Sequence, residues 1–143
     1  MSATGLGTFD STVQLTNEWL DELQEDLRFD DRQTAYQALR SVLHALRDRL
    51  PVDEAAHLGA QLPMLVRGFY YEGWHPADKP LRERKKEDFL QHVTDEYPRD
   101  APGEPERVTR AVFSILERHV TPGEFEHVRS SLPKGVRELC GCP

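Results

Sequence analysis

Sliding the chain on itself by seventy residues aligns its two halves without a gap, and this property limits the possible folds more than any other. In the 28 positions from Arg40 to Arg67, nine match the residue seventy further on, where chance pairing gives about two. The identities are Arg40/Arg110, Val42/Val112, Leu46/Leu116, Glu54/Glu124, His57/His127, Leu62/Leu132, Pro63/Pro133, Val66/Val136 and Arg67/Arg137. Upstream, WLDEL (Trp19 to Leu23) meets FLQHV (Phe89 to Val93) in the same register.

Each copy has helical periodicity, and no stretch has the sustained alternation and β-branched enrichment of a strand. The first helix is expected from Ser11 or Thr12, burying Thr16, Trp19, Leu20, Leu23 and Leu27. A second buries Ala35, Ala38, Leu39, Val42, Leu43, Leu46 and Leu50 at i, i+3, i+4, i+7 spacing. Their counterparts run from about Leu81 to Tyr97 and from about Glu104 to His119, the latter turning Val108, Ala111, Val112, Ile115 and Leu116 inward. A short helix follows each long one, then a break at Leu-Pro, because proline suits a first helical turn but clashes inside a helix. Two copies are too few for a solenoid. The expected fold class is therefore all-α: two gapless seventy-residue helical repeats packed as a pseudo-twofold helical bundle. Residues 1–143 form a single domain, with repeat 1 over about 11–72, repeat 2 over about 81–142, and a Gly/Pro-containing linker at 73–80.

Composition excludes several classes. A formal charge of -7 repels phosphate backbones and anionic membrane surfaces, so no nucleic acid and no membrane are expected as partners. No stretch approaches the roughly 18 apolar residues of a membrane span, and the amino end lacks a basic patch followed by an apolar run. A cytoplasmic location follows from that reading. Cys140 and Cys142 lie too close together for a bridge to brace the fold. They read as two exposed thiols on a frayed end, or as a redox or metal-binding tail.

Glu-x-x-His occurs in both repeats, at Glu54/His57 and Glu124/His127. On facing helices of a bundle this spacing holds metal ions, but it is also what an ordinary helix start looks like. In TPGEFEH, Thr121 reads as the cap, Pro122 as the first helical residue and Glu124 as the reciprocal member of a capping box. A helical wheel turns Ala55, Leu58 and Leu62 inward with His57 outward, and likewise Phe125, Val128 and Leu132 inward with His127 outward. A ferritin-like site also needs inward glutamates on two further helices, and the long helices have none. No metal, cofactor or catalytic residue is therefore expected, and His57 and His127 remain candidates for a shared groove or partner surface.

His119, on an apolar stripe at a helix end, reads as a buried acid or base, or as a partner for the final carbonyls; the aligned Arg49 suits the second role. Arg67 and Arg137 are candidates for an anion site, or for pairing with acids of the other half. RERKKED (82–88) reads as a solvated helix face. The aromatic run Phe69, Tyr70, Tyr71 and Trp74 exceeds what one short helix can bury, and divides between gluing the halves together and forming a partner surface. There is no Gly-rich phosphate loop, nucleophile elbow or zinc spacing.

At AAHLGAQLPMLVRGFYYEGWHP, with SSLPKGVREL further on, the sequence resembles the bacterial domain-of-unknown-function family numbered twenty-two sixty-seven, over nearly the whole chain. The resemblance implies a helical fold and carries across no catalytic residue; the CGCP ending is outside its pattern. The reading that results is a non-enzymatic protein-interaction module that binds a protein partner or itself. The alternative is a small-ligand-binding protein or enzyme using the groove between repeats, with His57, His127, Arg67 and Arg137 as polar contacts, or a metal-binding helical bundle. Tyr70, Tyr71 and Trp74 complete the candidate interface.

Overall fold

The computed structural model describes residues 2–141. Its eight α-helices are α1 (Gly7–Leu27), α2 (Arg32–Arg47), α3 (Val52–Gln61), α4 (Met64–Tyr71), α5 (Lys86–Glu96), α6 (Pro105–His119), α7 (Pro122–Ser131) and α8 (Lys134–Arg137), with a single 3-10 turn at Pro76–Asp78. No strand occurs among the described residues, and the chain is all-α. Both ends of α3 and α7 are seventy residues apart, and α4 and α8 each begin immediately after a Leu-Pro step. The cause is local: Leu62 and Leu132 end their helices in the extended region, and Pro63 and Pro133 cannot continue a helix but can precede one.

Helix α2 is the centre of the molecule, packed against α1, α4, α5 and α6. Helix α1 also rests on α6, α5 also rests on α6, and α3 packs against α7. The expected stripes are buried, from Trp19, Leu20, Leu23 and Leu27 in α1 through Leu39, Val42, Leu43 and Leu46 in α2 to Val108, Val112, Ile115 and Leu116 in α6. One stripe does not describe α2, however. From Ser41 to Arg47 every residue is buried, because four helices surround it.

That enclosure puts polar side chains in the interior. His44 is 2.8 Å from Glu96 through Nδ1 and 2.6 Å from the Phe69 carbonyl through Nε2, joining α2 to α5 and α4. Burial alone would raise Glu96, but hydrogen bonds from His44 and His92 outweigh it and hold the carboxyl down to about 2. Arg47 donates to the carbonyls of Tyr70 and Glu72 at 2.8 and 2.9 Å, and to Asp48.

Several expectations need correction. Helix α1 begins at Gly7, four residues earlier than Ser11, and Asp10 in its first turn accepts from the Thr4 N–H at 3.0 Å. Helix α5 begins at Lys86 rather than Leu81. Residues 81–85 stay out of the helix, with the Leu81 N–H donating to the Asp48 carbonyl at 2.8 Å and Glu83 pairing with Arg49 at 2.9 Å. RERKKED is thus mostly a strap on the end of α2, and Arg82 and Arg84 are not on a helix face. His119 is neither a buried base nor a carbonyl partner: it stacks on Trp19 at 4.9 Å and meets Glu22 at 2.9 Å. Arg49 does reach a carbonyl, that of Ala45 at 3.2 Å. Cys140 is buried, and burial pushes its thiol up to about 12; it is part of the core, while Cys142 lies outside the described residues.

Candidate functional site

Three surfaces can do chemistry or binding. The first is a groove of about 850 Å³ where α1 meets α4, with Phe9, Val13, Leu20, Met64, Leu65 and Phe69 among its lining residues. The α4 end is fixed by the Leu65 N–H donating to Thr12 Oγ1 at 2.9 Å. Leu6, Phe9, Leu15, Met64 and Leu65 are the large apolar side chains open to solvent among the described residues. They all come from the first half of α1, the residue before it, and the start of α4. Phe9, Met64 and Leu65 line the groove itself, and Leu15 lies with Met64 on the hollow beside it, so these four are neighbours rather than the scattered singles normal on a surface.

The aromatic run divides three ways. Phe69 lines the groove and meets Tyr36 edge-on at 5.2 Å. Tyr70 is wholly buried and donates from Oη to the Ala55 carbonyl at 2.7 Å. Tyr71 and the half-buried Trp74 stack at 5.4 Å, and Tyr71 lies over α3 so closely that a Cβ on Gly59 would come within 2.2 Å of its Oη. The Trp74 indole Nε1 is buried without a hydrogen-bond partner.

The second surface is where α3 meets α7. Thr121 caps α7 as expected, its Oγ1 accepting from the Glu124 N–H at 3.2 Å. The reciprocal half of the capping box is absent: the Thr121 N–H donates to Gln61 Oε1 at 2.8 Å, leaving Glu124 free to turn elsewhere. It turns to Glu54. The Oε2 atoms of both are buried and accept no hydrogen bond. Burial, then the Glu54 carboxyl, raises Glu124 to about 8. The folded state therefore retains a proton that the unfolded chain has lost above its ordinary 4.5, so stability falls as pH rises from there through about 8. His127 is exposed as expected, yet it offers a ring nitrogen to the pair; Glu54, Glu124 and His127 each present one ligand atom within 4.8 Å of the others. His57 is exposed and outside that set.

The third surface is a cavity of about 960 Å³ lined by Arg49, Lys79, Arg82, Arg84 and Arg137 together with Ser130. Lys79 pairs with Asp78 and Arg49 with Glu83, but Arg82, Arg84 and Arg137 have no ion pair among the described residues. Arg67 is elsewhere, donating to the carbonyls of Gly59 and Leu62 at the end of α3 at 2.8 and 2.9 Å. The four polar candidates therefore do not meet: His127 is with the acid pair, Arg137 at the cavity, Arg67 on the α3 carbonyls, and His57 is apart from all three.

His44 and Arg47 were not singled out in the sequence, their only signal being a position next to the apolar stripe of a helix that is buried all round, nor was Glu96 at the end of α5. Sequence reasoning names Glu54 and Glu124 but assigns both to helix starts. No helix among the described residues is long and apolar enough to cross a membrane. A family model described as an uncharacterized conserved protein (DUF2267) matches residues 16–139. No curated protein matches the chain.

Proposed function

The chain belongs to that family of uncharacterised conserved proteins, and on this premise we propose that it is a non-enzymatic interaction module that pairs with a second copy of itself across the apolar face between α1 and α4. The observation that carries the reading is that all five open large apolar side chains come from that face. Phe9, Met64 and Leu65 line the groove and Leu15 lies with Met64 on the hollow next to it, so two copies can lay these apolar side chains against each other about a twofold axis. Magnitudes make this a modest association. Each side chain is already half covered and has about half of the ~1.5–3 kcal/mol of full burial left to gain. Ten such side chains across two copies supply roughly 7–15 kcal/mol, against a cost of about 4–15 kcal/mol for lost freedom. The balance runs from no association to about 11 kcal/mol, and a micromolar dissociation constant, which takes about 8 kcal/mol, needs the favourable part of both ranges.

Light scattering over a concentration series tests it. The wild type is expected to shift from one to two copies between about 1 and 100 µM, and Leu65→Asp to remain single throughout with an unchanged melting temperature, since Leu65 is 47% exposed and supports no interior contact of its own. A wild type that stays monomeric at the highest concentration removes the reading.

Within one chain, the same proposal treats the halves as units related by an internal pseudo-twofold axis running between α2 and α6 and between α3 and α7. In its support, exchanging the units turns the α1–α6 contact into α5–α2, and α1–α4 into α5–α8, and all four contacts exist.

A second reading has its own observation: three arginines without partners around one polar cavity in a chain of net charge -7. It takes this cavity as a site for a small phosphate-bearing ligand, since guanidinium forks suit phosphate oxygens. Calorimetric titration with inorganic pyrophosphate is expected to give saturable binding that Arg82→Ala and Arg137→Ala each weaken at least tenfold. Absence of heat at 1 mM ligand, or binding indifferent to both changes, disposes of it.

A further inference from the structure

We infer that Glu54, Glu124 and His127 form a binding site for one divalent first-row metal ion at the junction of α3 and α7. Glu54 Oε2 and Glu124 Oε2 are buried acceptors without a donor, and buried polar atoms in folded proteins are almost always satisfied. Two carboxyl groups facing each other satisfy one another only by sharing a proton or a cation. Glu124 is 8% exposed, so solvent cannot do this for it. Nor do the basic side chains close by in sequence: Arg67 donates to α3 carbonyls, and Arg129 pairs with Glu126 at 3.7 Å.

The third member makes the group a coordination set rather than an acidic patch. His127 is one helical turn beyond Glu124, on the same side of α7, and brings an imidazole nitrogen within 4.8 Å of a carboxylate oxygen from each acid. Two carboxylates and one imidazole are a donor set for manganese, iron or zinc, whereas magnesium and calcium favour oxygen alone. An ion about 2.1 Å from each donor brings tetrahedral ligands to roughly 3.4 Å of one another. The set must therefore close by at most about 1.4 Å, and the exposed His127 ring is free to rotate toward the acids. Its exposure also leaves a path for the ion and room for water at the remaining positions. Gln61 completes the argument from the other side: by taking the Thr121 N–H it relieves Glu124 of the capping role that its place in the helix would otherwise give it. The two acids occupy equivalent places in the two helices, so the ion would bridge the halves of the chain where they meet.

Manganese(II) is the probe, because its free-ion electron paramagnetic resonance signal reports binding directly and thiols such as Cys140 are poor ligands for it. Protein stripped with chelator and titrated with manganese(II) is expected to bind one ion per chain and to melt at a higher temperature when loaded. Glu124→Gln and His127→Ala should each weaken binding at least tenfold, while His57→Ala, the matching histidine outside the set, should leave it unchanged. His127→Ala alters only an exposed side chain, so it remains informative even if Glu124→Gln perturbs folding. No binding at 1 mM manganese leaves the two carboxyls sharing a proton and overturns the proposal. Binding unaffected by both site variants overturns it equally.

Discussion

Arg47→Ala is expected to lower the unfolding free energy by about 3–5 kcal/mol, because it strands a buried charge and two carbonyls in one step. The Arg47 side chain is 4% exposed and lies on α2 at the heart of the molecule. Its Nε donates to Asp48 Oδ1 at 2.9 Å, and its Nη1 to the carbonyls of Tyr70 and Glu72 at the end of α4. A helix end has carbonyls without intrahelical donors, and α4 has no C-terminal cap hydrogen bond of its own. Removing the guanidinium takes the donor from those carbonyls and leaves the buried Asp48 carboxylate only His92 Nε2 at 3.8 Å, which exceeds the loss of a simple hydrogen bond. Urea denaturation measures it. A loss below about 1 kcal/mol would mean that water enters and replaces the guanidinium.

The second large effect is at Tyr70. Tyr70→Ala should cost about 3–5 kcal/mol as a large-to-small change at a wholly buried site. Tyr70→Phe keeps the ring and loses only the hydrogen bond from Oη to the Ala55 carbonyl, so about 0.5–1.5 kcal/mol is expected. The two variants together separate ring from hydroxyl: near-equal losses would contradict the view that packing dominates there. Neither Arg47 nor Tyr70 has a like counterpart seventy residues on, where Glu117 and Cys140 stand. The stabilising features of α4 therefore belong to the first half alone, and α4 runs eight residues where α8 runs four.

The repeat made the helix order and the bounds of α3 and α7 readable, because Leu-Pro is a local instruction that works wherever it is written. The buried stripes of α1 and α6 were readable for the same reason, being set by spacing along one helix. What escaped depended on neighbours distant in sequence. Residues 81–85 are good helix formers, but Asp48 and Arg49 hold them out of the helix. His44 and Arg47 look like surface residues until four helices close around α2. At Glu124 the local reading was half sufficient: the threonine cap forms, but a glutamine sixty residues earlier takes the other half of the motif. Sequence patterns of three or four residues cannot register such a competitor.

The crossing of first helices has one more implication. Helix α1 lies on α6 of the second half and α5 on α2 of the first, so each half finishes its interior with a helix from the other. If the halves are the units proposed above, neither closes its interior without the other. On that proposal the molecule is in effect a heterodimer whose two subunits share one backbone, with the Gly/Pro-containing linker at 73–80 as the tether. Made as separate chains, the halves would have to find each other before either could hold its shape; joined, they lose that search and unfold as one body.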